Sequence, residues 1–237
     1  MAKVDTIKYL TQDELKRLFQ AIETARPAKH QMKVSFVKRN LAIFLVAYRH
    51  GLRISEVGML KLQDVNTDHG RIFCHRAKHG ISGEYPMETM EVKAVRAWLK
   101  ERKDNGPYLF STQHGRPISR RMLDYLTRYY GERADIPLDK RHFHVLRHSI
   151  ATHLLDAGAD LRFIQDWLGH ANIQSTIVYA QITNKARDEQ ARKVFASPKI
   201  VTLSDYGEKA RDKSNSAHHT DLASWIRGET ALSPCFR

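Results

Sequence analysis

The chain has 237 residues, 42% of them hydrophobic, enough for one sizeable core with at most a small appendage. Its 39 Lys and Arg against 26 Asp and Glu give a net charge of +13, which favours a polyanionic partner, nucleic acid or an acidic membrane surface, although solubility alone would also account for part of it. The longest apolar run, Leu41 to Tyr48, falls short of the ~18 residues of a membrane span, and Met1-Ala-Lys-Val-Asp5 is not followed by the apolar stretch of a signal peptide, so the chain reads as soluble and cytoplasmic.

Thr11-Gln-Asp-Glu14 is a capping box, and the helix it opens carries Leu15, Leu18, Phe19 and Ile22 at helical spacing and ends before Pro27. A second helix is predicted from Met32 to Tyr48, with Val37, Leu41, Phe44, Leu45 and Tyr48 on its buried side, broken by Gly51. Leu52-Arg53-Ile54-Ser55-Glu56 then starts a third helix that Ser55 can cap; taken alone, Arg53 is an exposed arginine at a helix start. Asp64–Thr67, Arg71–His75 and Glu84–Met87 form a three-stranded antiparallel meander, turning at Asp68-His-Gly70 and at Lys78-His-Gly-Ile-Ser-Gly83. Cys74 in the second strand and Cys235 near the end read as reduced thiols. Met90 to Lys103 is an amphipathic helix, Tyr108-Leu-Phe110 a short extended piece, and Ser119 caps a helix holding Met122, Leu123, Leu126 and Tyr129.

The stretch from His144 to Tyr179 carries the chemistry. It reads His144-Val-Leu-Arg147-His148, then Ala151-Thr-His-Leu-Leu155, Gly158-Ala-Asp160, Ile164-Gln-Asp-Trp-Leu-Gly-His170, and Tyr179 nine residues on. Each polar group suits the attack of a phenol on a phosphodiester. Arg147 offers a planar, always-charged fork for the non-bridging oxygens, the histidines donate hydrogen bonds or move protons near neutral pH, and Tyr179 can serve as a covalent nucleophile. His144 and Arg147, three apart, share a helix face, while Gly169 ends a helix and turns the His170 imidazole out of it. Singly, these residues would be ordinary; a tyrosine beside an apolar run is usually a packed core residue.

The full set, with Gly51-Leu-Arg53-Ile-Ser-Glu56 upstream, resembles the tyrosine recombinase (phage integrase) family over roughly residues 8 to 195. The resemblance implies a mainly α catalytic-domain fold with a small antiparallel three-stranded sheet, and site-specific cleavage and rejoining of DNA through a 3'-phosphotyrosine link without metal or other cofactor. It implies roles for Arg53 and Arg147 as phosphate-neutralising cations, His170 as a hydrogen-bond donor, and His144 as an aid to proton movement at Tyr179. Lys78, in the turn between the second and third strands, would protonate the leaving 5' oxygen; taken alone it is a solvated turn lysine. Glu56 would hold the site's cations in place.

The helix after Ser119 lies near DNA in the family, making Arg120, Arg121 and Arg128 candidate backbone contacts. A helix over Asn184 to Phe195 would dock on a neighbouring subunit, giving a homo-oligomer, a tetramer in synapsis, on double-stranded DNA. The catalytic domain is expected to span 1–196, followed by a polar, flexible tail over 197–237, with Asp212 to His219 its most disordered stretch and Leu222 to Ile226 a weak amphipathic piece. Because the catalytic pattern starts almost at once, the chain resembles the short members that invert fimbrial promoter segments, although a longer member cut down to its catalytic domain would look the same, and an accessory DNA-binding protein is a candidate partner.

The 13 histidines raise metal binding, but His142-x-His144 with His148 has no cysteine pair or His-Glu-x-x-His pattern beside it, and no metal site is expected. Two rival readings remain: a type IB topoisomerase, which shares this chemistry but rejoins the original strand, and a regulator that keeps the fold and binds DNA without cutting it. Against the second, all six catalytic positions hold competent residues.

Overall fold

In a computed structural model the described residues are 7–25, 34–77, 80–112, 114–180 and Arg192. The chain divides into a unit of Met1–Gln190, which holds every named helix and strand, and a second of Ala191–Arg237. The expected helix over 184–195 (Arg192 apart), the tail with its 212–219 and 222–226 pieces, and Cys235 lie outside the described residues, as does Lys78.

Local chemistry fixes the first helix, α1 (Gln12–Glu23). Thr11 Oγ1 accepts from the Glu14 backbone N–H at 3.2 Å while the Thr11 N–H donates to the Glu14 carboxylate at 2.7 Å, the reciprocal pair predicted from sequence. Lys140 reaches the same carboxylate at 2.8 Å, so the cap also ties α1 to the turn before the catalytic block.

α2 (Val34–Arg49) is the central helix, packed against α1, α4 (Thr89–Glu101) and α6 (Val145–Asp156). Because it has neighbours on several sides, it is buried beyond a single stripe: Ala42, Ile43, Phe44, Val46, Ala47 and Tyr48 are all inside. Phe44 meets Tyr130 and Phe143 edge-on, ring centroids 5.9 Å apart in each pair. Of the expected apolar face, Phe44 and Tyr48 are buried, whereas Val37, Leu41 and Leu45 are only half-buried. Two polar residues replace them inside. Asn40 donates to the Tyr130 hydroxyl at 2.9 Å and Arg39 to the Ser111 carbonyl at 3.2 Å, partners that satisfy groups otherwise costly to bury.

The sheet is the expected antiparallel meander, β1 (Val65–Asn66), β2 (Arg71–Cys74) and β3 (Gly83–Pro86), with Ile72 opposite both Val65 and Tyr85. Ile72, Cys74 and Tyr85 point into the core and Phe73 outward, the alternation of a sheet with one covered face. The first two strands are shorter than predicted, and the third keeps its length but starts one residue earlier. Asp64 leaves the first because its carboxylate accepts from the Lys61 N–H at 2.8 Å, closing a 3-10 turn over Leu62–Asp64, and His75 leaves the second to bond Asp64 at 3.1 Å. Burial pushes the Cys74 thiol up to about 12, so the described cysteine is inert packing.

Ser119 caps α5 (Arg120–Arg133) through the Met122 N–H at 3.1 Å, as expected. Leu123, Leu126 and Tyr130 face inward and Arg120, Arg121, Tyr125 and Arg128 outward. α6, α7 (Leu161–Leu168) and α8 (Gln174–Ala180) pack on one another and finish the described fold. Among the described residues no helix is long and apolar enough to cross a membrane.

Candidate active site

Glu56 is the hub of the site. It lies in the first turn of α3 (Ile54–Met59), 4% exposed, and accepts from the Arg53 N–H at 2.9 Å, Arg53 Nη1 at 2.7 Å and the Ala77 N–H at 3.0 Å. Ser55, expected as the cap, lies inside the helix; the carboxylate three residues along bonds the Arg53 N–H instead. Burial alone would raise the Glu56 pKa, but the hydrogen bonds from Arg53 and Ala77 and the charge of Arg76 outweigh it and hold the carboxyl below its usual range. Its fixed negative charge can therefore hold two cations.

One of them, Arg76, carries no signal in the sequence. It follows β2, is fully buried at its side chain, and approaches Glu56 at 3.4 Å while donating through Nη2 to the carbonyls of His50 at 3.0 Å and Trp167 at 2.6 Å. Five residues on, the Ile81 N–H donates to the Gly169 carbonyl at 3.1 Å. Arg76 and Ile81 are thus both fastened to the C-terminal turn of α7. Spacing and composition do not reveal this, because the partners are backbone carbonyls remote along the chain.

Arg147, in the first turn of α6, is 1% exposed. Its Nη1 donates to the Gly51 carbonyl and its Nη2 to the Leu168 carbonyl at 2.9 Å, which fixes the fork; among the described residues its other N–H groups are left for a ligand. Burial, reinforced by the charges of Arg53 and Arg76, lowers its pKa to about 10, so it stays cationic at neutral pH.

Gly169 sits at φ +64° and closes α7 as the sequence predicted. A Cβ there would come within 2.5 Å of the Ile81 carbonyl and 2.7 Å of Arg76 Cγ, so this turn needs glycine for its backbone angle and for space. His170 follows, 7% exposed, with Nδ1 2.8 Å from the Thr176 hydroxyl. Burial, with Arg147, Arg53 and Arg76 nearby, lowers its pKa to about 4. The neutral ring that accepts from Thr176 carries its proton on Nε2, the tautomer that can donate to a phosphate oxygen.

Tyr179, on α8, is 3% exposed, and burial raises its pKa against the opposing pull of Arg147 and Arg53. Its hydroxyl lies 3.0 Å from His148 Nδ1. His144, the histidine expected at the tyrosine, is exposed just ahead of α6 and meets the His148 ring edge-on at 4.5 Å. The imidazole in contact with the phenol is thus His148, not His144. Desolvation by the surrounding chain and the charges of Arg147, His142 and Arg53 lower the His144 pKa.

Arg53, Glu56, His144, Arg147, His170 and Tyr179 therefore share one electrostatic neighbourhood, and Arg76 and His148 join them. Arg120, Arg121 and Arg128 are exposed on the outer face of α5, a helix that packs against α3. No group of His, Cys, Asp and Glu that could hold a metal occurs among the described residues.

Comparison with known proteins identifies the family of the chain. The sequence matches the phage integrase family over residues 8–186. It is 35% identical over 197 residues to tyrosine recombinase XerA of Thermococcus kodakarensis, covering 82% of this chain and 64% of that one. It is also 35% identical over 185 residues to the type 1 fimbriae regulatory protein FimE of Escherichia coli K12, covering 76% of this chain and 88% of FimE. Among solved structures, a crystal structure of XerA recombinase superposes with a TM-score of 0.66 at 29% identity, over 81% of this chain and 66% of that one. The chain thus spans under two thirds of the curated XerA relative and most of FimE. With the family matched along most of its described length, and with the arginines, histidines and tyrosine of the sequence pattern gathered in one site, the chain belongs to the phage integrase family of tyrosine recombinases.

Proposed function

We propose that the chain is a site-specific DNA recombinase that cuts and rejoins strands through a 3'-phosphotyrosine at Tyr179. The observation that carries this reading is a phenol set among fixed arginines, Arg53 and Arg147, beside imidazoles that are neutral at physiological pH. Relatives named as tyrosine recombinases support it.

In this reaction Tyr179 Oη attacks the phosphorus and the bond to the 5' oxygen breaks. Arg53 and Arg147 balance the charge on the non-bridging oxygens, aided by a hydrogen bond from His170, and fixed donors of this kind need no reorganisation as charge develops. Lys78, between the anchored Arg76 and Ile81, protonates the leaving oxygen. A 5'-hydroxyl from a second duplex reverses the step. The phosphodiester's energy is held in the phosphotyrosine, so the proposed reaction assigns no role to a metal, nucleotide or other cofactor.

The +13 charge and the exposed Arg120, Arg121 and Arg128 suit double-stranded DNA, the proposed substrate. A catalytic domain over 1–196, assembly as a tetramer in synapsis, help from an accessory DNA-binding protein and a cytoplasmic location belong to the same proposal.

The test is to incubate the protein with nicked genomic fragments that trap a cleaved strand and to sequence the DNA held in denaturant-stable adducts. One recurrent site, exchanged between two duplexes that carry it, supports the recombinase. Relaxation of any supercoiled plasmid without site preference would support the topoisomerase instead, and binding without adducts the regulator.

A further inference from the structure

The family pattern gives no role to the contact between His148 and Tyr179. His148 lies one residue beyond Arg147 on α6, half-buried, and α8 packs against α6 so that Tyr179 Oη falls 3.0 Å from its Nδ1, with ring centroids 5.8 Å apart. The Thr152 hydroxyl donates to the His148 carbonyl at 3.0 Å and holds the backbone there. On the other side the ring meets His144 edge-on.

We propose that His148 is a catalytic residue of the strand-cleavage step: it holds the Tyr179 hydroxyl by accepting its hydrogen bond, takes its proton during attack, and returns it on rejoining. The inference rests on Tyr179 being the nucleophile. As the Oη–P bond forms and the P–O5' bond breaks, the phenol proton passes to Nδ1. His148, already protonated at Nε2, becomes an imidazolium beside the new phosphodiester anion. The leaving 5' oxygen takes its proton from a separate acid, and rejoining runs every transfer backward.

Two physical arguments favour this assignment. First, a phenol buried beside cations that only partly offset its desolvation keeps its proton at neutral pH, so attack needs an acceptor within hydrogen-bond reach of Oη, and His148 Nδ1 is within that reach. Second, burial, with His144, His142 and Arg147 nearby, lowers the His148 pKa to about 4, so the ring is neutral and its Nδ1 lone pair is free to accept. Among the described residues, the charged and titratable groups facing it are His144 and Arg147 around the start of α6, His142 just before, and Tyr179 from α8. None is a carboxylate that would hold the ring protonated in the resting enzyme.

The test uses the full chain and nicked duplexes carrying the trapped site. Wild type, Y179F, H148N and H148F are compared by rate of adduct formation across about pH 6 to 9, with DNA binding and thermal melting measured in parallel. An asparagine in place of His148 can still accept a hydrogen bond near the Nδ1 position but cannot take a proton. The expected result is that H148N binds and melts like wild type, forms adduct on the order of 100-fold more slowly, and gains rate with rising pH as hydroxide removes the phenol proton, where wild type is level. H148F should be slower still. On a substrate whose leaving oxygen is replaced by sulfur, which needs no acid, the H148N deficit should persist.

An H148N rate within about twofold of wild type, or a slower rate with an unchanged pH profile, overturns the proposal, as does rescue of H148N by the sulfur substrate. If wild type itself forms no adduct, the assignment of Tyr179 fails, and His148 with it. Adduct from wild type but not Y179F separates that failure from a failure at His148.

Discussion

Arg76 donates through Nη2 to the carbonyl oxygen of Trp167, 2.6 Å away and 91 residues along the chain. This bond, with the approach of the same guanidinium to Glu56, links the segment before Lys78 to the turn that presents His170. Breaking it should affect both. Arg76→Met leaves the His50 and Trp167 carbonyls unpaired and Glu56 with one cation fewer, a loss of about 3 kcal/mol or more. Urea unfolding should record this, with adduct formation falling in parallel. Arg76→Lys keeps the charge but not the fork, and should lose roughly half as much, since one ammonium cannot span both carbonyls in the same geometry.

Gly169→Ala should be destabilising out of proportion to one methyl group. The left-handed backbone alone costs an L residue about 1–2 kcal/mol, and the added Cβ meets the Ile81 carbonyl at 2.5 Å. Relief requires the His170 turn to move away from the segment after Lys78. Thermal melting should show the loss, and adduct formation should drop further than the stability change predicts.

Stability should fall on mild acidification. His148 and His170 have pKa values lowered to about 4 in the folded chain, against about 6.5 when unfolded. Between those values the unfolded state binds more protons, so stability is full above the unfolded pKa and is lost progressively as pH falls towards the folded one. Urea midpoints at about pH 7 and pH 5 should differ measurably, and His148→Asn should shrink the difference. The Glu56 carboxyl, held below its ordinary range, contributes only at lower pH and leaves this window to the imidazoles.

The outer face of α5 predicts a salt effect. If Arg120, Arg121 and Arg128 touch DNA phosphates, replacing any one by alanine should weaken binding to all sequences alike and reduce the slope of log affinity against log salt by about 1. Binding titrations over roughly 50 to 200 mM salt would measure it. A change confined to one DNA sequence would instead place that side chain on a base edge.

Much of the fold was legible because its signals are local. The Thr11–Glu14 box, the Ser119 cap and the Gly169 turn each depend on residues within a few positions, and all three appear as predicted. The family pattern likewise named Arg53, Glu56, Arg147, His170 and Tyr179, which the fold gathers together. What stayed hidden depends on distant partners. Arg76 sits where an alternating strand pattern runs out, and only its reach to the carbonyls of His50 and Trp167 makes it a buried anchor. His144 and His148 both flank Arg147 in sequence, and spacing alone cannot tell which ring meets a tyrosine placed by α8. The same holds for α2, where Asn40 is buried against its distant partner Tyr130 while Leu41 stays half-open.

The central claim is that Tyr179 becomes bonded to DNA. The most direct measurement is to trap the adduct on a nicked duplex, digest away protein and DNA, and identify the modified peptide by mass spectrometry. The expected product is a nucleotide joined through its 3'-phosphate to the peptide containing Tyr179, and it should disappear in Tyr179→Phe. A nucleotide on any other residue, or an adduct that survives that substitution, would contradict the claim.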